Sequence, residues 1–434
     1  MENLKNKTKV IVVGGGPAGI SAAVTIARAN IDVILIERGD FCGSKNMFGG
    51  AIYTQPTKEI FPDFETEAPL ERKNVTNKYM LLTQSEATTI SYNKKTDNSN
   101  SYTVIRGKFD RWMAEKAKKE GVIIVTSTVV TDLLMENNKV IGVQTELEKY
   151  YADIVILADG VNSLLAKQAG LRKNLKPQDV ALGVKEVIKL DSEKINERFN
   201  VNNDEGLITE IVGYPMNGML GLGYIYTNKE SISIGLGITL SELVDNKIKP
   251  YELLDKLKEH PSIKPFIKDG EPVEYSAHLI PEGGYNKIPK LFADGVLVVG
   301  DAAMLVNNLH WEGTNLAMIS GKLAGETAIL AINKNDFSKN TLKIYQKKLK
   351  KSFIIKDLMS YKNLMSEMHK RRYSFTDYYI KKLNAFFDVF TNVDSIPKKY
   401  KFRKFIKNVI FERNIFELFK DIVSTIKIIL RIFI

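Results

Sequence analysis

Three glycines, Gly14, Gly16 and Gly19, stand between a β-branched run, Val10-Ile-Val-Val13, and a small-residue stretch that begins Pro17-Ala18 and continues through Ala22 and Ala23. The first glycine permits a tight turn, the second lets the backbone approach a pyrophosphate, and the third lets a helix pack closely on the strand. The helix N-terminus then aims free N–H groups at the phosphates. A second apolar run, Val33-Ile-Leu-Ile36, ends in Glu37, 18 residues after Gly19. A carboxylate there accepts hydrogen bonds from both ribose hydroxyls and disfavours a 2′-phosphate. Strand, glycines, helix, strand and acid in this order predict a dinucleotide site. The motif alone leaves open which dinucleotide.

Three later segments narrow the choice. Val104-Ile-Arg-Gly-Lys-Phe-Asp-Arg-Trp-Met is a strand end followed by an amphipathic helix. Asp153-Ile-Val-Ile-Leu-Ala-Asp-Gly is an apolar strand ending in the Asp159-Gly160 turn. Gly295-Val-Leu-Val-Val-Gly-Asp is a buried strand ending in Gly300-Asp301. The arrangement resembles the flavoprotein family typified by aromatic hydroxylases and geranylgeranyl reductases. The resemblance implies FAD, with Asp301 on the ribityl hydroxyls and Asp159-Gly160 near the pyrophosphate. It also implies Arg106 near the phosphates and backbone groups of a strand running from Val122 to Val125 and on to Val130 beside the adenine. A helix start at Gly313-Thr314-Asn315 would face the flavin's pyrimidine oxygen, where its dipole favours a reduced, anionic flavin. The plainer readings are a helix cap for Asp301 and a surface cation for Arg106.

Two further stretches narrow the resemblance. Lys45-Asn46-Met-Phe-Gly49-Gly50-Ala-Ile-Tyr53 and Gly223-Tyr-Ile-Tyr-Thr-Asn-Lys-Glu-Ser-Ile-Ser-Ile-Gly-Leu236 look like the FixC-type dehydrogenases of the electron-transfer-flavoprotein:quinone oxidoreductase group. That likeness covers about residues 8 to 335. It extends the implied FAD contacts to Pro17, Ala18, Arg38, Lys45, Asn46, Gly49 and Gly50. It implies electrons taken from an electron-transfer flavoprotein, with a ferredoxin-like protein as a further partner, and passed to a membrane quinone. The alternatives are a geranylgeranyl-reductase-like enzyme saturating polyprenyl lipid chains and a flavin-dependent aromatic monooxygenase.

In this reading the flavin carries the redox chemistry, so no catalytic side chain and no metal site is expected. The 4 histidines are scattered. His310 stands near the expected flavin edge, as a donor or simply as a loop residue packed on Trp311. Lys45 is either a counter-charge to the flavin or a solvated lysine. Cys42, the 1 cysteine, is read as a spare buried thiol or a lining group. A single thiol excludes an internal disulfide and a four-thiolate iron–sulfur cluster, which is why a ferredoxin-like partner is implied. Gly221-Leu-Gly lacks the helix that a second dinucleotide motif requires.

The elements that must position these groups predict an α/β fold, α+β overall. A Rossmann-like FAD-binding domain is expected over residues 1–54, 102–175 and 291–335. A mixed β-sheet substrate domain, facing the quinone, is expected over 55–101 and 176–290. Residues 336–434 are expected to form a basic helical region. From Lys339 onward there are 23 Lys and Arg against 8 Asp and Glu, while the remainder carries 39 against 43. Apolar residues from Ile415 to Phe433 recur at helical spacing, with Glu417, Lys420, Asp421, Ser424 and Lys427 opposite. An amphipathic helix beside a basic cluster suits an anionic lipid surface; the alternative is a helix docked on the protein's own core or in a dimer. Nucleic acid is not expected as a partner. With no signal peptide and no membrane-spanning run, the location expected is cytoplasmic, peripheral on the inner face of the membrane.

Overall fold

A computed structural model describes residues 7–45 and 50–433. The chain forms two compact units: Met1–Glu71, Asn100–Val180 and His278–Lys362 make the first, and Arg72–Ser99, Ala181–Ala277 and Asn363–Ile434 the second.

The first unit is built on a parallel sheet. Strand β1 (Lys7–Val13) lies between β2 (Val33–Ile36) and β10 (Lys149–Leu157). Outside them, β7 (Ile123–Val125) pairs with β2, and β17 (Val296–Val298) pairs with β10, followed by β16 (Phe292–Ala293). The register decides function. Val13 sits level with Ile36 and Leu157, and Leu157 is level with Val298. The next residues of all four strands, Gly14, Glu37, Ala158 and Val299, therefore emerge at one edge of the sheet. β-Branched residues with no exposed area (Val10, Ile11, Val12, Ile154, Val155, Ile156) explain why these strands are central, because a parallel strand is covered on both faces.

Helices α1 (Pro17–Ala27) and α10 (Thr314–Asn333) pack against each other on this sheet. Their contact depends on missing side chains. A Cβ on Gly321 would lie 2.0 Å from Ala18 O, and one on Gly325 would lie 2.8 Å from Ala22 O. Helix α4 (Arg106–Lys119) packs on the other flank of α1. The short helices α2 (Thr54–Lys58), α3 (Phe64–Glu67) and α5 (Leu164–Gln168), the pair β3 (Ala51–Tyr53) and β6 (Ser101–Val104), and helices α11 (Lys339–Lys351) and α12 (Phe353–Ser360) complete the unit. The expected continuation of the Val122 strand to Val130 does not form. Ser127 adopts φ 52° and turns the chain. Val130 then opens a separate strand, β8 (Val130–Glu136), antiparallel to β9 (Lys139–Thr145).

The second unit holds a mixed sheet in the order β15 (Glu271–Pro281), β11 (Val180–Lys189), β14 (Ser231–Thr239), β13 (Gly221–Thr227), β12 (Glu205–Gly213), β4 (Leu70–Leu82), with β5 (Ala87–Asn93) on β4. One face buries Ile232, Ile234 and Leu236 in a cluster with residues of α6 (Ser192–Phe199), α7 (Leu240–Asn246) and α8 (Pro250–Glu259), and α9 (Lys264–Ile267) packs at its margin. β13 turns straight into β14, so Gly221-Leu-Gly opens a hairpin rather than a nucleotide site. Helices α13 (Leu364–Lys370), α14 (Tyr379–Thr391), α15 (Lys398–Glu412) and α16 (Ile415–Phe433) follow.

Helix α16 is amphipathic as its periodicity predicts, but it docks by its polar side. Asp421 and Ser424 are buried, while Phe416 is 74% and Phe419 64% exposed, and Ile422, Ile426 and Ile429 are exposed as well. Asp421 accepts hydrogen bonds from Ser374 Oγ (3.2 Å) and Tyr379 Oη (2.9 Å) and pairs with Arg413 at 2.9 Å. Arg371 reaches Glu417. Phe387, Phe390, Tyr400, Ile410 and Phe411 on α14 and α15 are also exposed. The apolar stripe thus does not dock on the core. No helix among the described residues is long and apolar enough to cross a membrane.

Candidate functional site

The common edge of β1, β2, β10 and β17 gathers most of the expected residues. Gly14 has φ 107°, and a Cβ there would lie 2.3 Å from Ala158 O. A Cβ on Gly19 would lie 1.9 Å from Gly14 O. Both positions are closed to any side chain by the protein itself. Gly16 is different, since a Cβ there would meet nothing within 4 Å. It caps α1 in an extended conformation, with buried Pro17 and Ala18 following. An empty cradle at a helix N-terminus whose neighbours are sterically fixed fits a pyrophosphate.

Glu37 is buried, and its two carboxylate oxygens accept from the Gly15 N–H (2.6 Å) and the Gly39 N–H (2.7 Å). These bonds orient the carboxylate and leave lone pairs for ribose hydroxyls. Cys42 Sγ lies beside Gly15, where an added Cβ would approach it to 2.5 Å. Burial, with Glu37 and Asp110 nearby, pushes this thiol up to about 12, so it is a neutral packing group at physiological pH. Arg38 is exposed at the end of the same strand, as is Lys45 in the following turn. Gly50 is buried and accepts a hydrogen bond from the Val104 N–H. Asn46 and Gly49 lie outside the described residues. Val130 is half-buried, with its backbone in the β8–β9 ladder.

Arg106 is not a surface cation. It is 4% exposed and grips Asp110 one turn further along α4, with Nε–Oδ1 and Nη2–Oδ2 both 2.9 Å. Its Nη1 approaches Thr314 Oγ1 at 3.3 Å, which ties α4 to the first turn of α10. Burial is the largest influence on Asp110 and raises it, against the pull of Arg106. Asp159 follows β10 and accepts from Ser163 Oγ at 2.8 Å. Gly160, with φ 76°, faces open space. Gly300 also needs its left-handed φ of 58°, and its N–H donates to Ser320 Oγ. Asp301, next in the chain, is half-buried. Burial pushes its carboxyl up to about 6, held back by Arg106 and Arg172. Gly313 caps α10, and Asn315 in its first turn donates to Glu312 (3.1 Å), while Asn315 Oδ1 is buried without a partner. An orphan acceptor at this helix start and the open space at Gly16 and Gly160 fit a ligand carrying hydrogen-bond donors and phosphates.

Sequence reasoning missed four groups here. Asp110 was readable in hindsight from its i+4 spacing to Arg106 on one helix face. Arg172 carries no motif; it donates to Val161 O at 2.6 Å and acts electrostatically on Asp159 and Asp301 together. Burial first, and then the charges of Arg106 and Arg38, lower His278 to about 4. Glu282 sits in the irregular segment after β15, with no recognisable signal. His310 packs on Tyr361 rather than Trp311, with ring centroids 5.6 Å apart.

A parallel sheet that brings a glycine turn, a buried strand-end glutamate and a strand-end aspartate to one edge fits a nucleotide-binding fold. The FAD binding domain model matches residues 7–208. The model for ETF-QO, ubiquinone-binding, matches 180–280, and the ETF-QO/FixC family C-terminal domain matches 364–430. Protein FixC of Azorhizobium caulinodans is 40% identical over 425 residues, covering 96% of this chain and 98% of that protein. A probable electron transfer flavoprotein-quinone oxidoreductase of Escherichia coli is 40% identical over 372 residues, covering 85% and 87%. Among solved structures, a geranylgeranyl bacteriochlorophyll reductase-like protein of Thermoplasma acidophilum shares the fold, with a TM-score of 0.72 at 22% identity over 94% of this chain and 97% of that one. This is an FAD-dependent flavoprotein oxidoreductase. More narrowly, the chain belongs to the FixC family, whose members resemble electron-transfer-flavoprotein:quinone oxidoreductases.

Proposed function

We propose that this protein accepts electrons from an electron-transfer flavoprotein and delivers them to a quinone at a membrane surface. When bound, FAD supplies the two-electron chemistry. The chain's own residues would do the rest. Gly14, Gly16, Pro17, Ala18 and Gly19, with α1 behind them, would seat the pyrophosphate. Glu37, with Arg38 beside it, would hold the adenosine ribose, and the backbone near Val130 would face the adenine. Arg106, locked by Asp110, would place a fixed cation near the phosphates, and Asp159-Gly160 would close that side. Gly300-Asp301 would hold the ribityl chain, and Gly313, Thr314 and Asn315 would face the flavin ring. Lys45 and Gly50 would border it, along with Asn46 and Gly49 outside the described residues.

The observation that carries the membrane part is the outward apolar face of α16, held in place by buried polar contacts. Exposed large apolar residues on this scale mark an interaction surface. The basic residues of α15, including Lys399, Arg403, Lys404 and Lys407, favour anionic headgroups over a protein partner. The similarity of residues 180–280 to an ETF-QO ubiquinone-binding model supports a quinone as acceptor. With one cysteine in the chain, any iron–sulfur relay would have to come from a ferredoxin-like partner.

The test is spectral. Protein reduced by an electron-transfer flavoprotein should be reoxidised within seconds by a short-chain quinone analogue. Reoxidation by isoprenoid double bonds alone would replace this reading with a polyprenyl reductase. Oxygen consumption with an added aromatic substrate would replace it with a monooxygenase. Flotation with anionic liposomes should be lost on removing residues 400–434.

A further inference from the structure

Glu282 follows the last residue of β15, Pro281, and belongs to the first unit. Its N–H donates to Asp179 O at 2.8 Å, and its own carbonyl accepts from Asn308 Nδ2 at 2.6 Å. The residue is 5% exposed, yet neither carboxyl oxygen has a hydrogen-bond partner. Asn308 Oδ1 is also buried and unpartnered. Three acceptors thus lie buried on neighbouring side chains, and the one donor among them, Asn308 Nδ2, is engaged by the Glu282 carbonyl.

A carboxylate would make this arrangement very costly, because a buried charge without a hydrogen bond is strongly destabilised. A carboxylic acid resolves it. Its O–H supplies the missing donor, and Asn308 Oδ1 is an acceptor on the side chain already bound to Glu282. The surrounding charges do not rescue the anion. The Asp179 carboxylate is taken by Lys287 at 3.0 Å. Arg172 is held by Val161 O and by the fields of Asp159, Asp301 and Asp179. Glu312, in the same loop as Asn308, is bonded to Asn315, and His310 is turned to Tyr361. Burial accordingly pushes the Glu282 carboxyl up to about 8, against a smaller downward pull from Asn308.

The position matters as much as the protonation. Asn308 lies in the loop that closes with the Asn307–Glu312 bridge and runs into Gly313, the cap of α10. The first turn of that helix contacts Arg106. Glu282 is therefore one hydrogen bond from the loop that delivers α10 to the FAD site.

We infer that Glu282 is a proton store for this redox site: where the oxidised protein leaves its carboxyl ionised, it takes up one proton from solvent when electrons arrive and releases it when they leave, and where the carboxyl is already a neutral acid beside Asn308 it stays so throughout. The electrons stay on the flavin, and only the Glu282 O–H bond forms or breaks. Added electrons make the site more negative, and a buried carboxylate nearby becomes harder to sustain. The inference requires FAD in the site but not a quinone acceptor.

The test uses the FAD-loaded protein and a chemical reductant, so a failed quinone assay leaves it intact. Infrared spectra of oxidised wild type at pH 7 should show the carbonyl band of a neutral carboxylic acid. The band should vanish in Glu282→Gln and return, shifted, in Glu282→Asp. Between pH 8 and 9, reductive titration should consume up to one proton more per two electrons in wild type than in Glu282→Gln. Equal proton counts would overturn the inference, whether or not the band is present. So would a wild-type spectrum without an acid band that Glu282→Gln removes.

Discussion

Replacing Gly16 or Gly19 with alanine separates the cofactor's demands from those of the fold. The two glycines are three residues apart in one motif, yet the structure assigns them opposite costs. At Gly19 an added Cβ would meet Gly14 O at 1.9 Å. That oxygen is backbone, so α1 must move off the sheet. Overpacking of this kind costs about 1–3 kcal/mol and occasionally more, and the backbone partner argues for the upper end. At Gly16 the Cβ meets no protein atom within 4 Å, and φ −82° with ψ −179° suits alanine. Loss of an N-terminal glycine there should change apo stability by no more than about 1 kcal/mol. The Cβ would instead occupy the space proposed for the pyrophosphate, and a loss of at least about 1.4 kcal/mol means tenfold weaker FAD binding. Chemical denaturation of the apo protein and quenching of FAD fluorescence on binding measure the two quantities separately. Gly16→Ala should bind FAD poorly and unfold normally, whereas Gly19→Ala should unfold early. Wild-type FAD affinity in Gly16→Ala would refute the cradle assignment.

Other perturbations follow from the same geometry. Arg106→Leu leaves Asp110, which has no exposed area, as an uncompensated buried acid, so denaturation should show a loss of about 3–5 kcal/mol, largely recovered in Arg106→Met/Asp110→Leu. Asp301 is raised from 3.8 to about 6, so the folded state favours its protonated form. Its contribution is fully present below about pH 4 and lost as pH rises through 6. Asp301→Asn should therefore make the apo protein more stable at pH 7, by up to about 3 kcal/mol, with the gain vanishing in acid and with weaker FAD binding as its counterpart. Asp421→Ala leaves Arg413 without its buried partner. Helix α16 should loosen, and tryptic cleavage at Lys420 and Lys427 should accelerate at least severalfold over wild type.

The dinucleotide half of the molecule was legible because its chemistry is local in sequence. Gly14, Gly16, Gly19 and Glu37 lie within one βαβ unit, and strand ends such as Asp159 and Gly300-Asp301 announce themselves by an apolar run that stops. Arg172 and Glu282 were opaque for the opposite reason. Each acts through residues distant in the chain, Arg172 on Asp301 and Glu282 on Asn308, and nothing nearby in sequence signals the contact. The expected continuation of the Val122 strand to Val130 failed on a single turn residue, since Ser127 in a left-handed conformation has no strong sequence signature. For α16, periodicity gave the amphipathic helix but not which side faces the protein. Buried Asp421 reversed the usual orientation, and that depends on Arg413, Ser374 and Tyr379 meeting it in three dimensions.

Cys42 has a practical consequence. The chain's one thiol is 2% exposed, neutral, and packed against Gly15, next in the chain to the glycine of the proposed pyrophosphate cradle. A folded molecule should be nearly inert to maleimide, because the thiolate is the reactive form. Any labelling therefore reports opening at this one spot, against no background from other cysteines. The native sequence thus carries its own single-site clock for breathing beside the proposed cofactor pocket, readable by mass spectrometry without engineering the protein.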